Sequence, residues 1–199
     1  MMGFSQTFLS ETADIAKKID SDAVERVVKC LAEARERGGR LFLIGSGGGA
    51  GHASHAACDF RKLCNFEAYA PYDNVSELTA RVNDEGWDVT ILNWLKVSRI
   101  NAKDCVLVFS VGGGNLEKNI SANLVKVIAY AKEIGASVVG IVGKDGGFTK
   151  KLGDAVVVIP TIAAERITPH TEGFQAIVWH LIVSHPLLQV NRAKWESTK

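Results

Sequence analysis

Apolar positions along the chain follow two spacings. Phe8, Ile15 and Ile19 recur near a helical period with polar residues between them. Val24, Val27, Val28, Leu31 and Ala34 then form an apolar stripe behind a Ser21-Asp22 cap signal, and Gly38-Gly39 stops that helix. From there, short continuous apolar runs take over at Arg40 to Ile44, Cys105 to Phe109, Ser137 to Val142 and Ala155 to Ile159, the last ended by Pro160. Each reads as a buried strand. Helical stretches lie between them: roughly His52 to Leu63, Leu78 to Val82, Asp88 to Leu95, and a helix following Ser110 to Asn115 that ends near Glu133. A long final helix is predicted from about Thr171 to Ser184, stopped by Pro186.

Strands buried on both faces and alternating with helices predict a doubly wound, mainly parallel α/β sheet with helices on both faces, preceded by N-terminal helices. The length of 199 residues suits one domain. Within it, residues 1–38 are N-terminal helices, 39–185 the α/β core and 186–199 a C-terminal tail that is polar and frayed from Val190 onward. Trp87 and Trp94, at helical spacing, are expected in the core or a subunit contact, and Lys150-Lys151 on a solvated edge.

Two of the strands run into glycine-rich turns, Gly45-Ser46-Gly47-Gly48-Gly49 and Ser110-Val111-Gly112-Gly113-Gly114-Asn115. Backbone N–H groups of such turns, with the helix N-termini they open, attract anions. In open parallel sheets, ligands bind beyond the carboxyl ends of the strands, so both turns can serve one ligand. The first turn fits the dinucleotide fingerprint loosely, its acidic partner Glu67 follows no convincing strand, and there is no GxxxxGK[ST] element. No nucleotide cofactor is expected.

Side chains able to do chemistry gather on two predicted helices. His55 and Asp59 are four apart and share a face, with His52 one turn back. Glu172 and His180, eight apart on the final helix, are offset by about 80° and can address a common target. Two imidazoles and two carboxylates suit a divalent ion such as zinc, or an acid and base for proton transfer.

Composition restricts the partners. With 23 basic and 22 acidic side chains the net charge is +1, which gives no general attraction to nucleic acid or an anionic membrane. No stretch approaches the length of a membrane span, and the start of the chain does not read as a signal peptide. Cys30, Cys58, Cys64 and Cys105 form no CxxC pair and are expected as reduced thiols. These features place the protein in the cytoplasm.

The ordered set of motifs resembles the SIS-domain phosphoheptose isomerases. Gly45 to Gly49 with His55 and a carboxylate four later resembles that family's Gly-Asn-Gly-Gly-Ser turn and helix. Asn83-Asp84-Glu85-Gly86, Ser110 to Gly113, Ser121 to Lys126 and Gly143-Lys144-Asp145-Gly146-Gly147 follow in the family's order, and His180 stands at its catalytic histidine.

The resemblance implies a flavodoxin-like three-layer sandwich and conversion of sedoheptulose 7-phosphate to D-glycero-D-manno-heptose 7-phosphate through an enediol. By position, Asp59 is the base and His180 the partner acid or base. His55, Asp59, Glu172 and His180 are the zinc ligands. Ser46, Gly47, Gly48, Gly49, Asp84 and Glu172 contact the sugar, and Ser110, Val111, Gly112, Gly113, Asn115 and Ser121 hold the phosphate. The family also implies a homotetramer with shared active sites.

Several positions depart from the family pattern. Asp59 replaces Glu, Glu172 replaces Gln, Ser46 replaces Asn and Gly49 replaces Ser. Val111 and Gly112 replace a Thr and a Ser, and about six extra residues, Asn115 to Ile120, precede Ser121. Backbone N–H groups or Asn115, Lys118 and Asn119 are the expected compensation for the lost hydroxyls. The alternatives are an isomerase of another phosphosugar, or a non-catalytic SIS-type sugar-phosphate sensor or partner-binding protein.

Overall fold

The computed structural model describes residues 3–192 and 194. Two helices, α1 (Phe4–Lys18) and α2 (Ser21–Glu36), precede β1 (Leu41–Gly45). The cap of α2 is Asp20, one residue before the expected signal, its carboxylate accepting from the Ala23 N–H at 3.0 Å. Next come α3 (Gly48–Cys64), β2 (Ala68–Tyr69), α4 (Val75–Glu85), α5 (Trp87–Val97) and β3 (Cys105–Ser110). The chain ends through α6 (Ala122–Glu133), β4 (Ser137–Val142), α7 (Gly147–Leu152), β5 (Ala155–Val158) and α8 (Ile167–Val183).

All five strands are parallel, in the order β2-β1-β3-β4-β5. The chain leaves β1 toward one edge, and from β3 it builds toward the other. This reversal places the carboxyl ends of β1 and β3 side by side at a topological switch point, with Gly45 level with Phe109.

The strands are apolar throughout because alternate residues feed two cores. Leu41, Leu43, Leu107 and Phe109 pack with α2, α3 and α8, whereas Phe42, Ile44, Val106 and Val108 pack with α5 and α6. Trp94 meets the Phe42 ring edge-on at 5.8 Å, while Trp87 is exposed. All four cysteines are free thiols, and Lys150 and Lys151 are exposed on α7.

Four local expectations are corrected. First, no helix opens from the second glycine turn. Gly113 and Gly114 adopt positive φ, 70° and 81°, and their carbonyls accept the Thr149 and Phe148 N–H groups of α7 at 2.9 Å each. A turn occupied in capping another helix does not begin its own, so an Asn115–Ile120 bridge intervenes and α6 starts at Ala122. Second, that same cap explains α7, a helix too short for the apolar pattern to reveal. Third, α8 begins at Ile167 because Pro169 falls in its first turn, where no intrahelical N–H is needed. Fourth, the expected fray at Val190 is displaced: the Val190 and Asn191 N–H groups both donate to the Leu63 carbonyl at 2.9 Å, covering an end of α3. The rest of the expected tail, apart from Arg192 and Lys194, lies outside the described residues.

Candidate functional site

The first turn owes its shape to close backbone approach. Gly47 at the N-cap of α3 has φ 57° and ψ −124°, a conformation that excludes most side chains. Gly49 is buried, and a Cβ there would lie 2.7 Å from the Phe109 carbonyl oxygen. Gly49 therefore faces β3, and its role is packing α3 onto the sheet. Gly48 is exposed, and a Cβ there would meet the Glu172 carboxylate at 2.6 Å, so that carboxylate lies against the N-terminus of α3, where the helix dipole favours an anion.

Two side chains without a sequence signal brace this turn. The Tyr72 hydroxyl accepts from the Gly45 N–H at 2.9 Å and donates to the Gly45 carbonyl; burial pushes its phenol pKa well up. Asn123, 0% exposed, donates from Nδ2 to Ser46 Oγ at 3.3 Å, and its Oδ1 has no partner. The Asn within the apolar start of α6 was a visible anomaly. Nothing local marked Tyr72, 27 residues from its partner.

Packing of α8 on α3 assembles the chemistry. Small residues on the buried face of α3, Ala53, Ala56 and Ala57, keep the helices close. One ligand atom each from His55, Asp59 and His180 lies within 4.8 Å of the others. Asp59 is 6% exposed, His180 half-buried and His55 exposed. His180 Nδ1 lies 2.7 Å from the Ala176 carbonyl oxygen. That oxygen can only accept, so Nδ1 carries a proton and Nε2 is the ring nitrogen left outside this bond.

Trp179 is fully buried with its indole N–H unpaired. Its ring stacks on His180 at 3.5 Å and meets His55 edge-on at 4.8 Å, while the two imidazoles are 5.6 Å apart. Burial lowers the pKa of nearby His52, against the opposing pull of Glu172.

The remaining expected residues occupy distinct places. Glu172 does not join the His55–Asp59–His180 group. Asp84 is exposed on α4, where the Asn83 amide donates to it at 2.7 Å. Ser110 Oγ accepts from the Gly113 N–H at 3.0 Å. Val111 and Gly112 are half-buried. The Asn115 N–H is spent on the Ile120 carbonyl at 2.9 Å, and Ser121 precedes α6 in a left-handed conformation, φ 52°. A cavity of about 520 Å³ between α3 and the β2 edge, lined by Cys58, Arg61 and Tyr69, contains none of these residues.

Two imidazoles and a carboxylate thus meet where α8 packs on α3, the helix that the first glycine turn opens, a donor set chemically able to move protons or hold a cation. The SIS domain model matches residues 7–143. The chain belongs to the SIS domain family. Lincomycin biosynthesis protein LmbN of Streptomyces lincolnensis is 32% identical over 191 residues, covering 90% of this chain and 68% of that protein. The phosphoheptose isomerase of Aliarcobacter butzleri is 27% identical over 190 residues, 92% of each chain. Among solved structures, phosphoheptose isomerase GmhA from Neisseria gonorrhoeae superposes with a TM-score of 0.77 at 20% identity, covering 90% of this chain and 95% of that one. This likeness extends to the parallel five-stranded sheet and its flanking helices.

Proposed function

We propose that this protein is a phosphosugar aldose–ketose isomerase whose substrate is sedoheptulose 7-phosphate. The observation that carries the reading is the convergence of His55, Asp59 and His180 where α8 packs on α3. The similarity to phosphoheptose isomerases over nearly the whole chain supports it.

In this reaction a proton leaves C1 of the ketose and returns to C2, while a second proton moves between the two oxygens. Asp59 is the base for the carbon-bound proton: it is buried, acceptor-only when ionised, and fixed on α3 by the packing of its neighbours. His180 serves the oxygens. Its Nδ1–H is anchored on Ala176 and Nε2 is left to take up and return a proton. The turns after β1 and β3 position the anionic end of the sugar.

The donor set fits a divalent ion such as zinc. In an ion-bound form, His55, Asp59 and His180 would supply two nitrogens and one oxygen, the three-ligand pattern of catalytic zinc, with the Ala176 bond orienting His180; its Nε2 would then be a ligand, so the proton exchange assigned to it above belongs to the ion-free site. Such an ion, when bound, polarises the substrate carbonyl and hydroxyl oxygens. Glu172, whose carboxylate lies against Gly48 and outside this group, is the proposed fourth ligand. A homotetramer with shared sites and a cytoplasmic location belong to the same reading. Exposed Phe4, Leu9, Ile177 and Leu181 provide apolar surface for subunit contact, and among the described residues no helix is long and apolar enough to cross a membrane.

Turnover of sedoheptulose 7-phosphate, followed by NMR together with exchange of the C1 proton in D₂O, tests the proposal. Asp59→Asn and His180→Gln are each expected to lower kcat about 10²- to 10⁴-fold. Unchanged turnover in both variants removes these residues from the mechanism. Faster conversion of a hexose or pentose phosphate reassigns the substrate.

A further inference from the structure

We propose that Lys144 is the cation that binds the substrate's phosphate at the second glycine turn. The inference rests on the phosphosugar reading and specifies how the anionic end is held.

Charge sets the need. Asp59 and Glu172 place two carboxylates at the site, and a phosphate monoester brings nearly two further negative charges at neutral pH. The second turn, Ser110 to Asn115, carries no charged side chain of its own to offset them. Its donors are neutral: the Ser110 hydroxyl accepts from the Gly113 N–H and keeps its own proton, Asn115 Oδ1 accepts from the Lys118 N–H at 2.8 Å and leaves Nδ2 to donate, and Val111 and Gly112 carry no donor side chain.

Lys144 lies where a cation is required. It follows β4, the immediate neighbour of β3, with Val142 level with Ser110. The Gly143 N–H donates to the Val111 carbonyl at 3.0 Å, so the loop carrying Lys144 is pinned to the turn. A Cβ built on Gly112 has Lys144 Cδ as its nearest neighbour, at 3.8 Å. The aliphatic stem of Lys144 thus lies beside Gly112, at ordinary van der Waals distance from the position a Cβ would take. Lys144 has no carboxylate within ion-pair distance among the described residues, and neighbouring Asp145 is turned to the Gly147 N–H at 3.1 Å. An exposed ammonium beside a turn whose own donors are all neutral binds an anion as a point charge.

Calorimetric titration of the full-length protein with inorganic phosphate tests this directly. Lys144→Met is expected to weaken phosphate binding about ten- to hundredfold, and Lys144→Arg to restore most of it. With sedoheptulose 7-phosphate, KM should rise by a similar factor while kcat changes by no more than a few-fold. Because Lys144 is exposed, the melting temperature should stay near that of the parent. Equal phosphate affinity in the parent and Lys144→Met, no binding by the parent, or a loss confined to Lys118→Met each overturns the proposal. Phosphate affinity that depends on Lys144, in a protein that isomerises no sugar phosphate, upholds the anion site while refuting the isomerase reading.

Discussion

Trp179 allows packing and positioning to be separated. Its indole fills the core between α3 and α8, yet two of its ring contacts are the imidazoles of His180 and His55, at 3.5 and 4.8 Å. Replacing it with leucine removes roughly 80 Å² of buried apolar surface, about 2 kcal/mol at 25 cal/mol/Å². It also removes a stacked pair worth about 0.5–1.5 kcal/mol. The expected loss of about 2–4 kcal/mol corresponds to a fall in Tm of about 4–16 °C for a chain of this size.

Positioning is affected separately. Without the indole behind it, His180 keeps only the Ala176 bond, and a displacement of about 1 Å at a proton-transfer group lowers turnover about a hundredfold. Trp179→Phe keeps an aromatic face and eliminates the unpaired buried N–H, a group that costs about 1–3 kcal/mol; its stability and kcat should remain close to those of the parent. Urea denaturation gives the stabilities, and kcat measured well below each variant's Tm gives the positioning effect. Leucine and parent proteins with kcat values within twofold of each other would refute the argument, whatever the stability difference.

Two further predictions concern the surroundings of the site. Gly49→Ser, which restores the family's residue, should destabilise the protein by about 1–3 kcal/mol, because the new Cβ must approach a backbone carbonyl at 2.7 Å. Gly48→Ala displaces only a flexible carboxylate and should leave Tm unchanged, so a thermal melt of Gly49→Ser at or above the parent Tm contradicts the packing role. The second concerns Glu11, which joins α1 to α8 through Arg166 Nη2 at 2.6 Å and His170 Nε2 at 2.9 Å. These partners hold its carboxyl pKa down to about 2. A depressed carboxylate stabilises the fold fully above its unfolded pKa, near 4.3, and progressively less as pH falls toward 2. The Tm gap between parent and Glu11→Gln should therefore be at its full size near pH 5 and shrink between about pH 4.5 and 2 in calorimetric scans. A gap independent of pH would exclude the ionic contribution.

The fold class and half of the site were written in local pattern. Runs such as Cys105 to Phe109 are apolar at every position because both sheet faces are covered, and that is visible without coordinates. His55 and Asp59 share a face through helical spacing alone. What local pattern does not contain is which elements meet. The approach of His180 to His55 depends on α8 crossing α3 over a surface of small residues. The hairpin from Asn115 to Ile120 depends on Gly113 and Gly114 surrendering their carbonyls to α7. Tyr72 braces Gly45, Asn123 holds Ser46 and Lys144 lies beside Gly112 for a shared reason: strand order places their loops together at the end of the sheet. Periodicity is set by neighbours along the chain, and so the sequence by itself determined the longer elements and their buried faces, but not short ones such as β2 and α7. Strand order and helix crossing minimise the exposed surface and unpaired polar groups of the whole chain, and only the tertiary structure decided them.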